Sequence, residues 1–241
     1  IIASDWAPAE LRQYTEAGGH VLLASSRPPD FSIAPVVKTW TDIKGYVRVR
    51  APSMFPSLEE TELLMISGPF TEIAQSNPAI LTLVPPSKIG PPELVHIDQK
   101  DTVTPGLVFK QIGAGTVAWI PWNLGALYYR LSLPAHAGLF RDVLDRLCPH
   151  RQLTTNAHPL VEITSMEQNG RHLLHLLNLS GHSQTGYFKP VEMRDIHIEV
   201  AGKFQKARTV RNPIIISTRV RSGSTAFDIP RLDDYELVVL E

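Results

Sequence analysis

The spacing of apolar residues gives the two ends of this chain different textures. At the start, Ile1-Ile2 reads as the end of a buried strand, and Asp5 and Pro8 are residues that open helices. The segment Ala9 to Ala17 comes next with Leu11 and Tyr14 three apart on one helical face, and Gly18-Gly19 supplies the stop. Then "HVLLAS" (His20 to Ser25) is an unbroken apolar run of strand length, the mark of a strand buried on both faces. Strand, helix, glycine stop and buried strand predict an α/β unit with a parallel sheet. Between Tyr46 and Trp122 the segments "YVRVR", "ELLMIS", "AILTLV", "LVFKQI" and "TVAWIPW" are separated by clusters such as Pro85-Pro86 and Gly90-Pro91-Pro92. They predict short strands on the antiparallel edge of the same domain.

Pro134 to Leu147 carries Leu139, Val143, Leu144 and Leu147 at helical spacing and predicts an amphipathic helix, stopped by Cys148-Pro149-His150. Beyond Arg151 the pattern is all strand: seven short segments from "LVEITSMEQ" to "YELVVLE", with Asn169-Gly170 as a strong hairpin signal between the first two. A small β-sandwich is expected there, with a domain boundary near residue 150.

Composition narrows the function classes. A formal charge of -1 over 241 residues, with Lys and Arg scattered, offers no general attraction for nucleic acid or an anionic membrane. Neither is expected as a partner. No apolar run reaches the roughly 18 to 20 residues that span a bilayer, so a soluble, cytoplasmic protein is expected. The lone Cys148 excludes an internal disulfide and a zinc site built on several thiolates. The opening residues predict that the chain is the C-terminal part of a longer polypeptide.

Each candidate site has a plain packing alternative. The pair Gly113-x-Gly115 precedes a strand, whereas a dinucleotide loop comes after a strand and opens a helix, so a hairpin turn is expected. Cys148 ends a helix, and Ser25-Ser26 run into Arg27-Pro28-Pro29, which cannot begin the helix that a nucleophile elbow requires. His172 and His175 fall on opposite faces of a strand, and His96 with Asp98 lacks a third ligand. Glu59-Glu60 and Asp233-Asp234 read as solvated turn carboxylates rather than the pair a glycosidase uses. No catalytic residue, metal or cofactor is expected. There remain Trp119, Trp122, Asn123, Tyr128, Tyr129 and Arg130. One tryptophan is expected in the core, and the turn "WNLGALYYR" could present Trp122, Tyr128 and Arg130 as a rim for a sugar.

Four segments carry a family resemblance. "APAELRQYTEAGGHVLLASS" resembles part of the β-galactosidase trimerisation domain, a glutamine-amidotransferase-like fold without its catalytic apparatus. "QIGAGTVAWIPWNLGALYYR" resembles the hairpin near that domain's end, and "RHLLHLLNLSGHS" with "PRLDDYELVVLE" resembles the β-sandwich that closes such enzymes. The resemblance implies a truncated flavodoxin-like parallel sheet over residues 1–150 and a β-sandwich over 151–241. It implies a non-catalytic C-terminal region of a glycoside hydrolase, partnered by an upstream catalytic barrel of the same polypeptide and by further copies of itself. Carbohydrate would then lie near Trp122, Asn123, Tyr128, Tyr129 and Arg130. The alternatives are an autonomous amidotransferase-like hydrolase using Cys148, Ser25 or Ser26, and a carbohydrate-binding module centred on Trp122 and Tyr128.

Overall fold

The structure is a computed structural model and describes residues 1–74, 79–86, 102–183 and 185–241. The chain divides into two compact units, Ile1–His150 and Arg151–Glu241.

The first unit is organised by a four-stranded sheet with order β1-β2-β7-β6, made of β1 (Ile2–Ser4), β2 (His20–Ala24), β6 (Val108–Ile112) and β7 (Gly115–Ile120). Alternate residues enter opposite faces. Val21, Leu23, Val117 and Trp119 join one apolar cluster, while Leu22, Ala118 and Ile120 join another. Because both faces are covered, "HVLLAS" has no polar interruption, and Val21, Leu22 and Leu23 are fully buried. Helix α1 (Glu10–Glu16) sets Leu11 and Tyr14 against the first cluster. Two later helices, α2 (Leu124–Leu131) and α3 (Pro134–Leu147), serve the second, to which α3 gives Leu139, Val143 and Leu147.

The second cluster is closed by a three-stranded antiparallel sheet of order β4-β3-β5, from β3 (Val36–Val49), β4 (Leu63–Ile73) and β5 (Leu81–Val84). An irregularity between Trp40 and Ile43 shifts the register of the long β3–β4 ribbon. A bridge between Phe70 and Trp122, with Thr71 N–H donating to Pro121 O at 2.8 Å, ties this ribbon to the end of β7.

The expected flavodoxin-like parallel sheet of residues 1–150 is therefore corrected. Among the described residues the parallel pairings are β1 with β2 and β2 with β7; every other strand pair is antiparallel, and there are three α-helices. A doubly wound sheet needs a crossover helix for each parallel neighbour. Here α1 makes one such crossover, and the path from β2 to β7 runs instead through the antiparallel ribbon. Pro28-Pro29 stop a helix from starting after β2, and the strand signals of β3 to β5 form a separate sheet rather than an edge of the first.

The second unit packs a five-stranded sheet, order β15-β14-β18-β10-β9, and a four-stranded sheet, order β16-β17-β13-β8, around one core. Its strands are β8 (Leu153–Thr155), β9 (Val161–Gln168), β10 (Arg171–Asn178), β11 (His182–Ser183) and β12 (Gly186–Tyr187). They continue with β13 (Met193–Ala201), β14 (Ala207–Thr209), β15 (Ile215–Ile216), β16 (Arg219–Arg221), β17 (Ser224–Leu232) and β18 (Tyr235–Leu240). Leu174, Val238 and Leu240 from the first sheet meet Ile198, Phe227 and Ile229 from the second. The described residues form more strands than the seven apolar segments predict, because two- and three-residue strands such as β11, β12 and β15 are too short to show a period. Asn169 and Gly170, at φ of 52° and 74°, make the tight turn between β9 and β10.

Candidate functional site

The two tryptophans at the end of β7 are both core residues. Trp119 is fully buried in the cluster under α1 and donates its indole N–H to Ser25 O at 2.8 Å. Trp122 is fully buried in the opposite cluster, donates to Gly106 O at 3.0 Å, and meets the His136 ring edge-on at 5.7 Å. Each indole has its polar atom satisfied inside the protein, as a buried Trp requires. Trp122 therefore shows no ring face to solvent, which removes it from the rim expected over 122–130.

That rim is a helix rather than a turn. Leu124 and Leu127, three apart, are the buried face of α2, and Ser132 in the left-handed region at φ 51° ends it. Asn123 occupies the N-cap position with its side chain making no capping bond, its Oδ1 buried and without a partner among the described residues. Tyr128, Tyr129 and Arg130 are on the exposed side, with Tyr129 91% and Tyr128 40% accessible. The structure thus keeps Tyr128, Tyr129 and Arg130 together and sends Trp122 inwards.

His136 is the other polar group in this region. Its Nε2 lies 2.8 Å from Met65 O, an acceptor, so Nε2 carries the proton and the buried Nδ1 has no partner among the described residues. Burial pushes its pKa below the ordinary histidine value, against a smaller opposing pull from the Met65 carbonyl. Further along α3, the buried Asp142 accepts from Ser57 N at 2.9 Å and Ser57 Oγ at 2.7 Å, fastening the 3-10 turn Pro56–Leu58. Both groups bind one part of the unit to another.

The remaining candidates separate. Gly113 and Ala114 form the hairpin loop between β6 and β7, and Gly115 lies so close to Thr15 O and Gly19 O that a side chain would collide with the end of α1. The glycines serve close approach rather than phosphate. Cys148 Sγ donates to His150 O at 3.6 Å at the foot of α3. Ser25 Oγ accepts from Arg27 N at 3.1 Å in a loop, and Ser26 O accepts from Thr71 Oγ1. His172 bonds Ser165 Oγ at 2.8 Å and His175 bonds Tyr235 OH at 2.7 Å, so the two rings have separate partners. His96 and Asp98 lie outside the described residues; among those described, no three His, Cys, Asp or Glu side chains gather as a metal cluster. No helix of the described residues is long and apolar enough to cross a membrane.

No family model and no curated protein matches the chain. Solved structures do. An α-L-fucosidase from Paenibacillus thiaminolyticus superposes with a TM-score of 0.71 at 15% identity, over 96% of this chain and 38% of the enzyme. A β-galactosidase from Bacillus circulans gives 0.57 at 11% identity, over 100% of this chain and 32% of that one. The β-galactosidase Gan42B from G. stearothermophilus gives 0.55 at 12% identity, over 97% and 29%. The likeness is one of fold, to parts of glycoside hydrolases. The chain spans between 29% and 38% of the length of these three enzymes.

One arrangement has no counterpart in the sequence pattern. Asp233 and Asp234, expected as solvated turn carboxylates, line a cleft of about 700 Å³ in the second unit together with Arg211 and Arg231. Its walls come from segments far apart in the chain, so no local motif announces it.

Proposed function

We propose that this chain is a non-catalytic region of a glycoside hydrolase, supporting assembly of the enzyme and bordering its carbohydrate site through α2. The observation that carries the reading is the fucosidase likeness, which covers nearly all of this chain and little more than a third of the enzyme. The partners are a catalytic barrel in the same polypeptide and further copies of the chain. Tyr128, Tyr129, Arg130 and Leu131 supply the contact surface, an aromatic, apolar and basic cluster on a single short helix. Exposed tyrosines with an adjacent arginine are the side chains that dominate protein contacts, and they also stack on and hydrogen-bond sugars. The buried placement of Trp122 speaks against a binding module centred on its ring. Cys148 Sγ bonds to His150 O and Ser25 Oγ accepts from Arg27 N, backbone partners that activate neither group as a nucleophile, which speaks against the hydrolase alternative at these two positions.

Light scattering tests this reading. The chain is expected to self-associate, and Tyr128→Ser with Tyr129→Ser is expected to shift it towards monomer at equal concentration. A chain that is monomeric at high concentration, or association indifferent to both substitutions, contradicts the assembly role.

A further inference from the structure

The cleft of about 700 Å³ lies wholly within the second unit. On one side it is lined by Tyr187 and Phe188, whose side chains are left out in solvent at 59% and 69% accessibility. On the other side stand Arg231 and Arg211 with their carboxylates. Arg231 bonds Glu192 at 3.0 Å and Asp233 at 2.7 Å, and Arg211 bonds Asp234 at 3.0 Å. Ion pairs this exposed contribute little to stability, so folding alone does not account for their grouping.

The walls are fixed from behind by two buried polar side chains. Asn178, fully buried, donates from Nδ2 to Val191 O at 2.8 Å and to Asp233 O at 2.6 Å, which joins the 187–192 wall to the 233–234 turn. Glu236, 1% exposed, accepts from Val210 N at 3.1 Å, Arg211 N at 2.8 Å and Asn212 N at 3.0 Å, which holds the loop bearing Arg211. A carboxylate is buried at high cost unless its oxygens are satisfied, and here backbone N–H groups satisfy them. The cleft is therefore held in shape before any ligand arrives.

We propose that this cleft binds a neutral oligosaccharide. Its lining carries three basic residues (Lys189, Arg211, Arg231) and three acidic ones (Glu192, Asp233, Asp234), so the formal charges cancel. An anion would face the carboxylates and a cation the guanidinium groups. A fully apolar ligand would strip water from both. A sugar hydroxyl both donates and accepts, and each Arg–carboxylate pair presents an acceptor beside a donor. The C–H face of a pyranose ring has its complement in the exposed rings of Tyr187 and Phe188. The volume falls in the range of ligand clefts and leaves room for more than one ring. This goes beyond the assembly reading and does not rest on it, since it concerns the second unit alone.

The test is calorimetric titration of the whole chain with tetrasaccharides of galactose, glucose, mannose and xylose, and with inorganic phosphate. At least one neutral tetrasaccharide is expected to bind saturably. Tyr187→Ala with Phe188→Ala is expected to weaken that binding about tenfold or more, with the unfolding midpoint unchanged because both side chains are exposed. Arg231→Met is expected to weaken it as well. Silence towards all four neutral sugars, binding of phosphate alone, or affinity unmoved by the aromatic substitutions overturns the proposal. Binding is read apart from oligomeric state, so its failure and that of the assembly reading are told apart.

Discussion

At Trp122 the indole fills the centre of a cluster and its N–H has one acceptor, Gly106 O. Trp122→Phe leaves that carbonyl unpaired and a space where the second ring was, so urea unfolding should show a loss of about 1–3 kcal/mol. Tyr129→Ser, at a position that touches little of the core, should stay within about 0.5 kcal/mol. Equal effects would contradict the division between a buried and an exposed aromatic. His136 adds a pH dependence. Its folded pKa lies below the ordinary value of 6.5, so the unfolded chain takes up the proton first as pH falls. The stability it contributes is complete above about 6.5 and is lost as pH drops through the folded pKa. Between pH 7 and 5 the urea midpoint should fall more steeply for the natural chain than for His136→Gln, and parallel slopes would refute this. The sequence shows that one of Trp119 and Trp122 is internal, since a strand alternates. It does not show that the second is internal too, because that depends on a ribbon from residues 36–73 covering the other face.

Among the elements, legibility tracks local periodicity. Helix α3 is readable because Leu139, Val143 and Leu147 repeat at helical spacing over 14 residues and Pro134 sits where its missing N–H costs nothing. The turns at Gly113-Ala114 and Asn169-Gly170 are legible because their backbone demands specific residues. Helix α2 is hidden. At eight residues it holds only Leu124 and Leu127 as a buried pair, and glycine and two tyrosines blur the pattern. Its exposed face comes from the same brevity: two leucines anchor it while Tyr128 and Tyr129 remain outside. Substituting those tyrosines should therefore alter association while leaving the unfolding midpoint in place, a combination that a merely structural role for them would not give.

At the scale of the molecule, the α/β expectation overreaches because β1, α1 and β2 do make a parallel unit, and one such unit does not extend into a whole sheet. The course of the chain after β2 depends on contacts far apart in sequence, which carry no period. The cleft of the second unit is invisible in the sequence for the same reason, since Tyr187, Arg211 and Asp233 meet only after two sheets have closed around a core. Under the proposed function, bond cleavage belongs to other parts of the enzyme, and this chain has no hydrolytic activity of its own. Hydrolysis of nitrophenyl β-galactoside and nitrophenyl α-L-fucoside by the purified chain alone measures this without intermediary. Nitrophenol release no faster than in buffer is expected; saturable turnover that co-purifies with the chain and disappears on replacing Cys148, Ser25 or Ser26 would contradict it.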